Sequence, residues 1–337
     1  GPRPAVDLPA LEARLDDEDP AVRAGAAWSL GRLGTLARPA APALVRSLAD
    51  PEPEVRRRAG DALERVRPDA ATCLDVARAI LRDTQSPGRA EAARAIALMA
   101  AAADDAVPDL VAALTATERA LRHEAAGALG AIGPGAAPAV PALVRALDDP
   151  GVSWRVPEAL GSIGPAAAAA VPALRASLAD ERGHVRWRAA VALGKMGEVA
   201  GEAGPELARL TRDRQGNVRL GAVLALARVG ADAELQQVAF VEALEDRNPE
   251  VRTKAADGLR RLGPAASSAA PALAAALRDP DAWVRVSAAR ALGRVGQDAA
   301  SVEALERALD DDEKIVRDQA AAALRTLAAS REALSGP

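Results

Sequence analysis

Residues 185–197 read Val-Arg-Trp-Arg-Ala-Ala-Val-Ala-Leu-Gly-Lys-Met-Gly, and residues 121–133 read Leu-Arg-His-Glu-Ala-Ala-Gly-Ala-Leu-Gly-Ala-Ile-Gly. Counted from the first residue of either stretch, apolar residues fall at positions 1, 5, 8, 9 and 12. At about 100° per residue these positions share one face, the signature of an amphipathic helix. The stretches close on Gly197 and Gly133, where a left-handed helix cap is expected, and Gly34, Gly164 and Gly263 hold the same place elsewhere. The inner glycine at position 10 lacks a Cβ and lets a neighbouring helix approach.

Working outward, the stretch recurs along the chain. Asp17, Asp50, Asp83, Asp149, Asp180, Asp213, Asp246, Asp279 and Asp311 form a comb at steps of 31–33 residues, with Ala116 in the vacant slot. Six residues after almost every slot stands an arginine: Arg23, Arg56, Arg89, Arg122, Arg155, Arg186, Arg219, Arg252, Arg285 and Arg317. A third comb runs from Leu30, Leu63, Ile96 and Leu129 through Leu160, Leu193, Leu226, Leu259 and Leu292 to Leu324. Three combs with one period define ten modules. Each module opens with a first helix, often begun by proline (Pro42, Pro141, Pro172, Pro271), which suits a first turn that needs no amide. A short aspartate-containing turn leads to the second helix. Neither helix buries its apolar stripe alone, so stacking of modules must supply the core. The expected fold is all-α, a right-handed α-solenoid.

Composition agrees. Half of the 337 residues are hydrophobic, yet there are only four tryptophans, one phenylalanine and no tyrosine, which suits thin Ala/Leu/Val layers better than one large core. The net charge of −4 argues against dominant nucleic-acid affinity. Cys73 is alone, so no intrachain disulfide can form, and a cytoplasmic location is expected. No apolar run reaches the roughly 18 residues of a membrane span. Gly1-Pro2 reads as a protease-cleavage scar within a lead-in over residues 1–7; one array spans 8–328, irregular at 71–100 and 149–164, and 329–337 is a tail.

The Asp/Val-Arg/Ala-Leu-Gly combination resembles the HEAT-repeat family, in particular the bacterial HEAT-like repeats of the phycobilisome-lyase type. The resemblance implies that second helices line a concave groove and that the array serves as a binding scaffold. The comb pairs Asp17/Arg23, Asp50/Arg56, Asp180/Arg186, Asp213/Arg219, Asp246/Arg252 and Asp279/Arg285 are read as structural: the aspartate accepts free amides of the second helix, and the arginine bridges to an aspartate of its own or the adjacent module. A catalytic residue is seldom repeated in every module. Two modules depart from the pattern. Module 3 has Gly88 for the valine and Ala97 and Ala100 for the glycines. Module 5 is two residues short and carries Pro157 inside its second helix, which predicts a shortened or kinked helix and altered superhelical curvature.

Opposite the core stripe lie positions 3, 7 and 10, flanked by 4 and 11, the expected groove wall. The candidate partner-binding residues there are Trp28, Arg57, Arg94, Trp154, Trp187, Val191, Leu220, Leu224, Arg228, Arg261, Arg290 and Arg294, with Val286 on the same face. Trp187, Val191, Leu220 and Leu224 form an apolar strip, and tryptophan and arginine are frequent anchors of interfaces. Trp154 faces groove or core depending on whether one counts from Leu160 or from Asp149. Trp283, ahead of its second helix, is read as plugging a gap between modules.

No catalytic elbow, phosphate loop or metal-ligand cluster is visible, so no cofactor or metal is expected. Arg122-His123-Glu124 is similar to one His-Glu dyad of deoxyhypusine hydroxylase, but that activity needs several dyads and the equivalent positions here are not dyads. The expected function is a non-enzymatic scaffold for a peptide or protein with apolar anchors and acidic flanks, acting as a monomer. The alternatives are nucleic-acid binding through a basic concave stripe, as in HEAT-like DNA glycosylases, and a bilin-lyase-like tetrapyrrole-handling role.

Overall fold

Every regular element among the described residues is helical. The computed structural model describes residues 7–152, 154–296 and 298–334. Gly1-Pro2, the rest of the lead-in through residue 6, and residues 335–337 lie outside the described residues. The last helix, Lys314–Leu334, continues past residue 328, where the array was expected to end.

The chain forms two compact units, Gly1–Ala170 and Val171–Pro337. In the first, the second helices are Pro20–Leu33, Pro53–Val66, Arg89–Met99, Arg119–Ile132 and Val156–Ile163, each packed on the next. The first helices Ala41–Arg46, Ala70–Arg82 and Val107–Ala113 form the other layer, followed by Val140–Ala146. The second unit repeats the plan: second helices Gly183–Met196, Gly216–Leu226, Pro249–Leu262, Ala282–Val295 and Lys314–Leu334 form one layer. Gly204–Leu210, Ala233–Ala243, Ala270–Ala276 and Ala299–Arg307 form the other. Each unit is therefore a stack of helix pairs, as in an α-solenoid.

The apolar comb is the core. Leu30, Leu63, Ile96, Leu129 and Leu160 in the first unit, and Leu193, Leu226, Leu259 and Leu292 in the second, are fully buried. Leu324, in the last pair, is half-buried because no further pair covers it among the described residues. Position 10 belongs to this packed side and not to the solvent-facing wall. A Cβ built on Gly31, Gly130, Gly194 or Gly293 would lie 2.8–2.9 Å from the Cα of Ala62, Ala159, Ala225 or Ala323, at position 8 of the next second helix. Glycine against alanine brings the backbones together there.

The closing residue also differs from the sequence expectation. Gly34, Gly133, Gly164, Gly197 and Gly263 have φ of 57–76° with ψ of −135 to −142°, which is not the left-handed helical cap. This turn launches a seven-residue 3₁₀ run, such as Gly133–Ala139, that delivers the chain to the proline-started first helix. Ala100 is forced into the same geometry, with φ 49° and ψ −132°, although it carries a Cβ. Such a conformation costs an alanine on the order of 1–3 kcal/mol. Ala100→Gly is therefore expected to stabilise the first unit by about 1 kcal/mol, after the entropy of a more flexible unfolded chain is subtracted. A denaturant midpoint at or below wild type would show that no strain resides there.

Pro157 does not kink a long helix. It sits in the first turn of Val156–Ile163, which is eight residues against fourteen for Arg119–Ile132. One stretch overturns the reading that no run is apolar enough to span a membrane: Arg119–Ala146 passes that test by length and composition. Half of its apolar window is buried, and Gly133 breaks it into separate helices.

Candidate functional site

The turn before each second helix is built by the comb aspartate. Its carboxylate accepts the backbone N–H two residues on, as Asp50 does from Glu52 at 2.9 Å and Asp246 from Asn248 at 2.8 Å. That bond shapes the turn. The helix amides are instead capped by a different residue, Asp19, Asn248 or Asp281, so the expected capping role of the comb aspartates shifts by two residues.

The arginines reach forward to the next module. Arg23–Asp50, Arg122–Asp149, Arg186–Asp213, Arg219–Asp246, Arg252–Asp279 and Arg285–Asp311 pair at 2.5–2.8 Å through Nε. Most are two-pronged: Arg186 donates through Nε to Asp213 at 2.7 Å and through Nη2 at 2.9 Å, while Nη1 donates to the backbone carbonyls of Asp180 and Glu181. One guanidinium thus ties two consecutive turns together. The line is interrupted where module 3 departs from the repeat. Arg56 stands 3.6 Å from Glu91, with its Nε buried and lacking a hydrogen bond, and Asp83 is left exposed. Arg89, facing the slot of Ala116, donates to the Leu81 carbonyl.

Burial works against ionisation of Asp50, Asp213 and Asp246, but the arginine and backbone hydrogen bonds outweigh it and hold all three below the usual carboxylate range. At Asp149 and Asp311 the arginine hydrogen bond is the leading cause, and the direction is the same. A carboxylate whose folded pKa is depressed adds stability above its unfolded pKa of about 3.9 and loses it as pH falls through the folded value. The urea midpoint should therefore be flat from about pH 5 to 8 and fall below about pH 4, less steeply in Asp246→Asn than in wild type. Identical slopes would remove the ladder as the source.

In the first unit the outer face of the second-helix layer holds Trp28, Arg57, Arg94 and Trp154. Trp28 is 44% exposed, with the Arg32 guanidinium 4.9 Å from its ring centre. Arg57 is neutralised locally: it donates to both Glu54 oxygens and, at 3.0 Å, to Asp61. Hydrogen bonds from Arg57 and Arg58 hold Glu54 at about 2. Arg94 pairs with Glu64. Trp154 lies half-buried with its ring 4.6 Å from that of His123, a position-3 residue, and with Arg155 5.7 Å away. That contact sets Trp154 beside the outer face of Arg119–Ile132, a choice the two sequence counts left open.

In the second unit Trp187, Val191, Leu220 and Leu224 are all half-buried. Trp187 reaches across to the next second helix, where a Cβ on Gly221 would come within 2.8 Å of its Cδ1. The Arg188 guanidinium stands 5.5 Å from its ring. Adjacent pairs thus cover part of the strip and leave its rim to solvent. Arg228, Arg261, Arg290 and Arg294 are exposed, and among the described residues none pairs with a carboxylate. Arg261 donates to the Ala227 carbonyl at 3.3 Å, and Arg290 to Gln319 Oε1 at 2.8 Å.

Two further expectations fail. Val286 is fully buried rather than on the outer face. Trp283 plugs nothing; it is 60% exposed, in the first turn of Ala282–Val295. The signal was present in the repeat: the residue before position 1 is elsewhere Glu54, Ala120, His184, Asn217 or Glu250, small or polar side chains that suit solvent. No group of His, Cys, Asp or Glu able to hold a metal occurs among the described residues.

A family model described as HEAT repeats matches residues 3–64, 74–156, 148–227 and 237–325. No curated protein matches the chain. Among solved structures, the crystal structure of an engineered protein from the Northeast Structural Genomics Consortium is similar at 25% identity and a TM-score of 0.60, over 96% of this chain and 99% of that one.

Proposed function

The chain belongs to the HEAT-repeat family, and from that premise we propose that it is a non-enzymatic scaffold that holds a peptide or protein on the outer face of its second helices. The repeat is associated with protein–protein interaction. One observation carries the assignment of a site: Trp187, Val191, Leu220 and Leu224 keep apolar surface at the solvent boundary, where the repeat elsewhere places Arg57, Asp61, Thr253 and Asp257. A half-covered tryptophan flanked by leucine and by the exposed Arg228 has the makings of an interface anchor. Nucleic-acid binding is the weaker reading, because Arg57 and Arg94 in the first unit are already neutralised by Glu54, Asp61 and Glu64.

The test is selection of peptides from a displayed random library on the full chain. Enriched sequences should pair apolar anchors with Asp or Glu. The double variant Trp187→Ala, Leu224→Ala should bind them roughly 10–100-fold more weakly while keeping its helical circular dichroism. Equal binding by this variant would remove the strip as the site.

A further inference from the structure

We propose that a cleft in the second unit, between the second helices Pro249–Leu262, Ala282–Val295 and Lys314–Leu334, binds an acidic peptide segment through carboxylates seated against Arg260, Arg290 and Arg294. The inference rests on the peptide-scaffold reading above and names a second site, with its ligand chemistry, outside the tryptophan strip.

What sets this cleft apart from the junctions before it in the second unit is one small residue. Position 7 of the last module is Ala322, where the preceding second helices carry Leu224, Asp257 and Arg290. Beside it, Gly293 packs on Ala323, and the missing bulk leaves a space of about 800 Å³ lined by these residues and the three arginines. That volume falls within the range of about 300–1,000 Å³ typical of ligand sites.

The charge is what selects the occupant. No described residue lining the cleft is acidic. Arg290 is oriented by its Nε bond to Gln319 at 2.8 Å, which leaves its terminal nitrogens for a ligand. Arg294 forms no ion pair among the described residues. Arg260 has its Nε buried without a hydrogen-bond partner, and its nearest carboxylate oxygen, on Asp257, is 3.9 Å away. Three guanidinium groups around a half-enclosed space repel one another, and a carboxylate between them relieves that repulsion while taking two-pronged bonds. The protein as a whole carries −4, so this is a local feature. The cleft lining holds no aromatic side chain on which a base could stack, which favours a peptide over a single-stranded nucleic acid. Exposed Arg261, beside Arg260 on Pro249–Leu262, and exposed Arg228 one repeat before it extend the positive row for a longer acidic segment.

Fluorescence anisotropy on the full chain tests this with a fluorescein-labelled Glu-Glu-Gly-Glu-Glu peptide, which has no apolar anchor for the strip, its glutamine analogue and a labelled oligothymidylate. The acidic peptide should bind at least tenfold more tightly than the glutamine analogue. Arg290→Gln combined with Arg294→Gln should weaken it tenfold or more, as should Ala322→Trp, which fills the floor without changing charge. The library-selected peptides are titrated alongside: their loss in Trp187→Ala with Leu224→Ala reads the strip, whereas loss of the acidic probe in the arginine pair reads the cleft, so the two fail separately. Equal binding of the glutamine peptide, no effect of either cleft change, or tighter binding of the oligonucleotide than of the acidic peptide would overturn the assignment.

Discussion

Asp246→Ala is expected to lower the stability of the second unit by about 3–5 kcal/mol, the usual cost of stranding one partner of a buried ion pair. Arg219 and Asp246 are the least exposed pair of the ladder, with side chains 8% and 6% accessible. The aspartate accepts Arg219 Nε at 2.5 Å and Nη2 at 2.9 Å, and also the Asn248 amide that shapes the turn. Truncation removes all three bonds and leaves a guanidinium in a site that water scarcely reaches. Since each module is supported chiefly by its neighbours, the loss spreads to the adjoining pairs. Asp83→Ala supplies the contrast: Asp83 is exposed and among the described residues its carboxylate accepts only from Gln85, so its loss should cost about 0.5–1.5 kcal/mol. Chemical denaturation followed by circular dichroism reads both variants, and a loss under about 1 kcal/mol for Asp246→Ala would reduce the ladder to ornament.

Gly31→Val should destabilise the first unit by about 2–3 kcal/mol through overpacking. A Cβ at Gly31 meets the Ala62 Cα at 2.9 Å and its Cβ at 3.0 Å. The obstacle is backbone, which cannot rotate aside, so the helices Pro20–Leu33 and Pro53–Val66 must separate and open the buried contact around Leu30 and Leu63. Gly60 is also inside a helix, but nothing lies within 4 Å of a Cβ built there. Gly60→Ala should therefore stabilise by about 0.5–1 kcal/mol, the helix-propensity difference. Opposite signs from two helical glycines in one unit distinguish packing from propensity; the same sign for both would contradict the close approach.

The positions of Arg186 and Asp213 illustrate how far spacing carries. Their recurrence shows that they serve the repeat, but it leaves open whether the arginine bonds within its module or beyond it. The structure gives the forward bond, because an arginine one turn into a second helix faces the turn of the next pair. Trp154 was beyond reach for a related reason: it lies ahead of a helix start, where the 100° rotation that assigns faces no longer applies and local turn geometry decides direction. Trp283 was legible, because the residue before position 1 is small or polar at Glu54, Ala120, His184, Asn217 and Glu250. Val286 fails differently: position 3 is outward on Pro53–Val66, where Arg57 stands, yet buried on Ala282–Val295.

Period and composition, by themselves, determined that this protein is an array of helix pairs with Leu30, Leu129, Leu193 and their equivalents inside, because burial of an apolar stripe depends on helical spacing alone. Tertiary structure decided which aspartate each arginine grips, that Ala100 adopts a glycine conformation, and that the small side chain of Ala322 opens a space ringed by arginines. Those outcomes arise between helices distant in sequence, where the distance of closest approach is set by pairs of residues and not by any one residue's own preference.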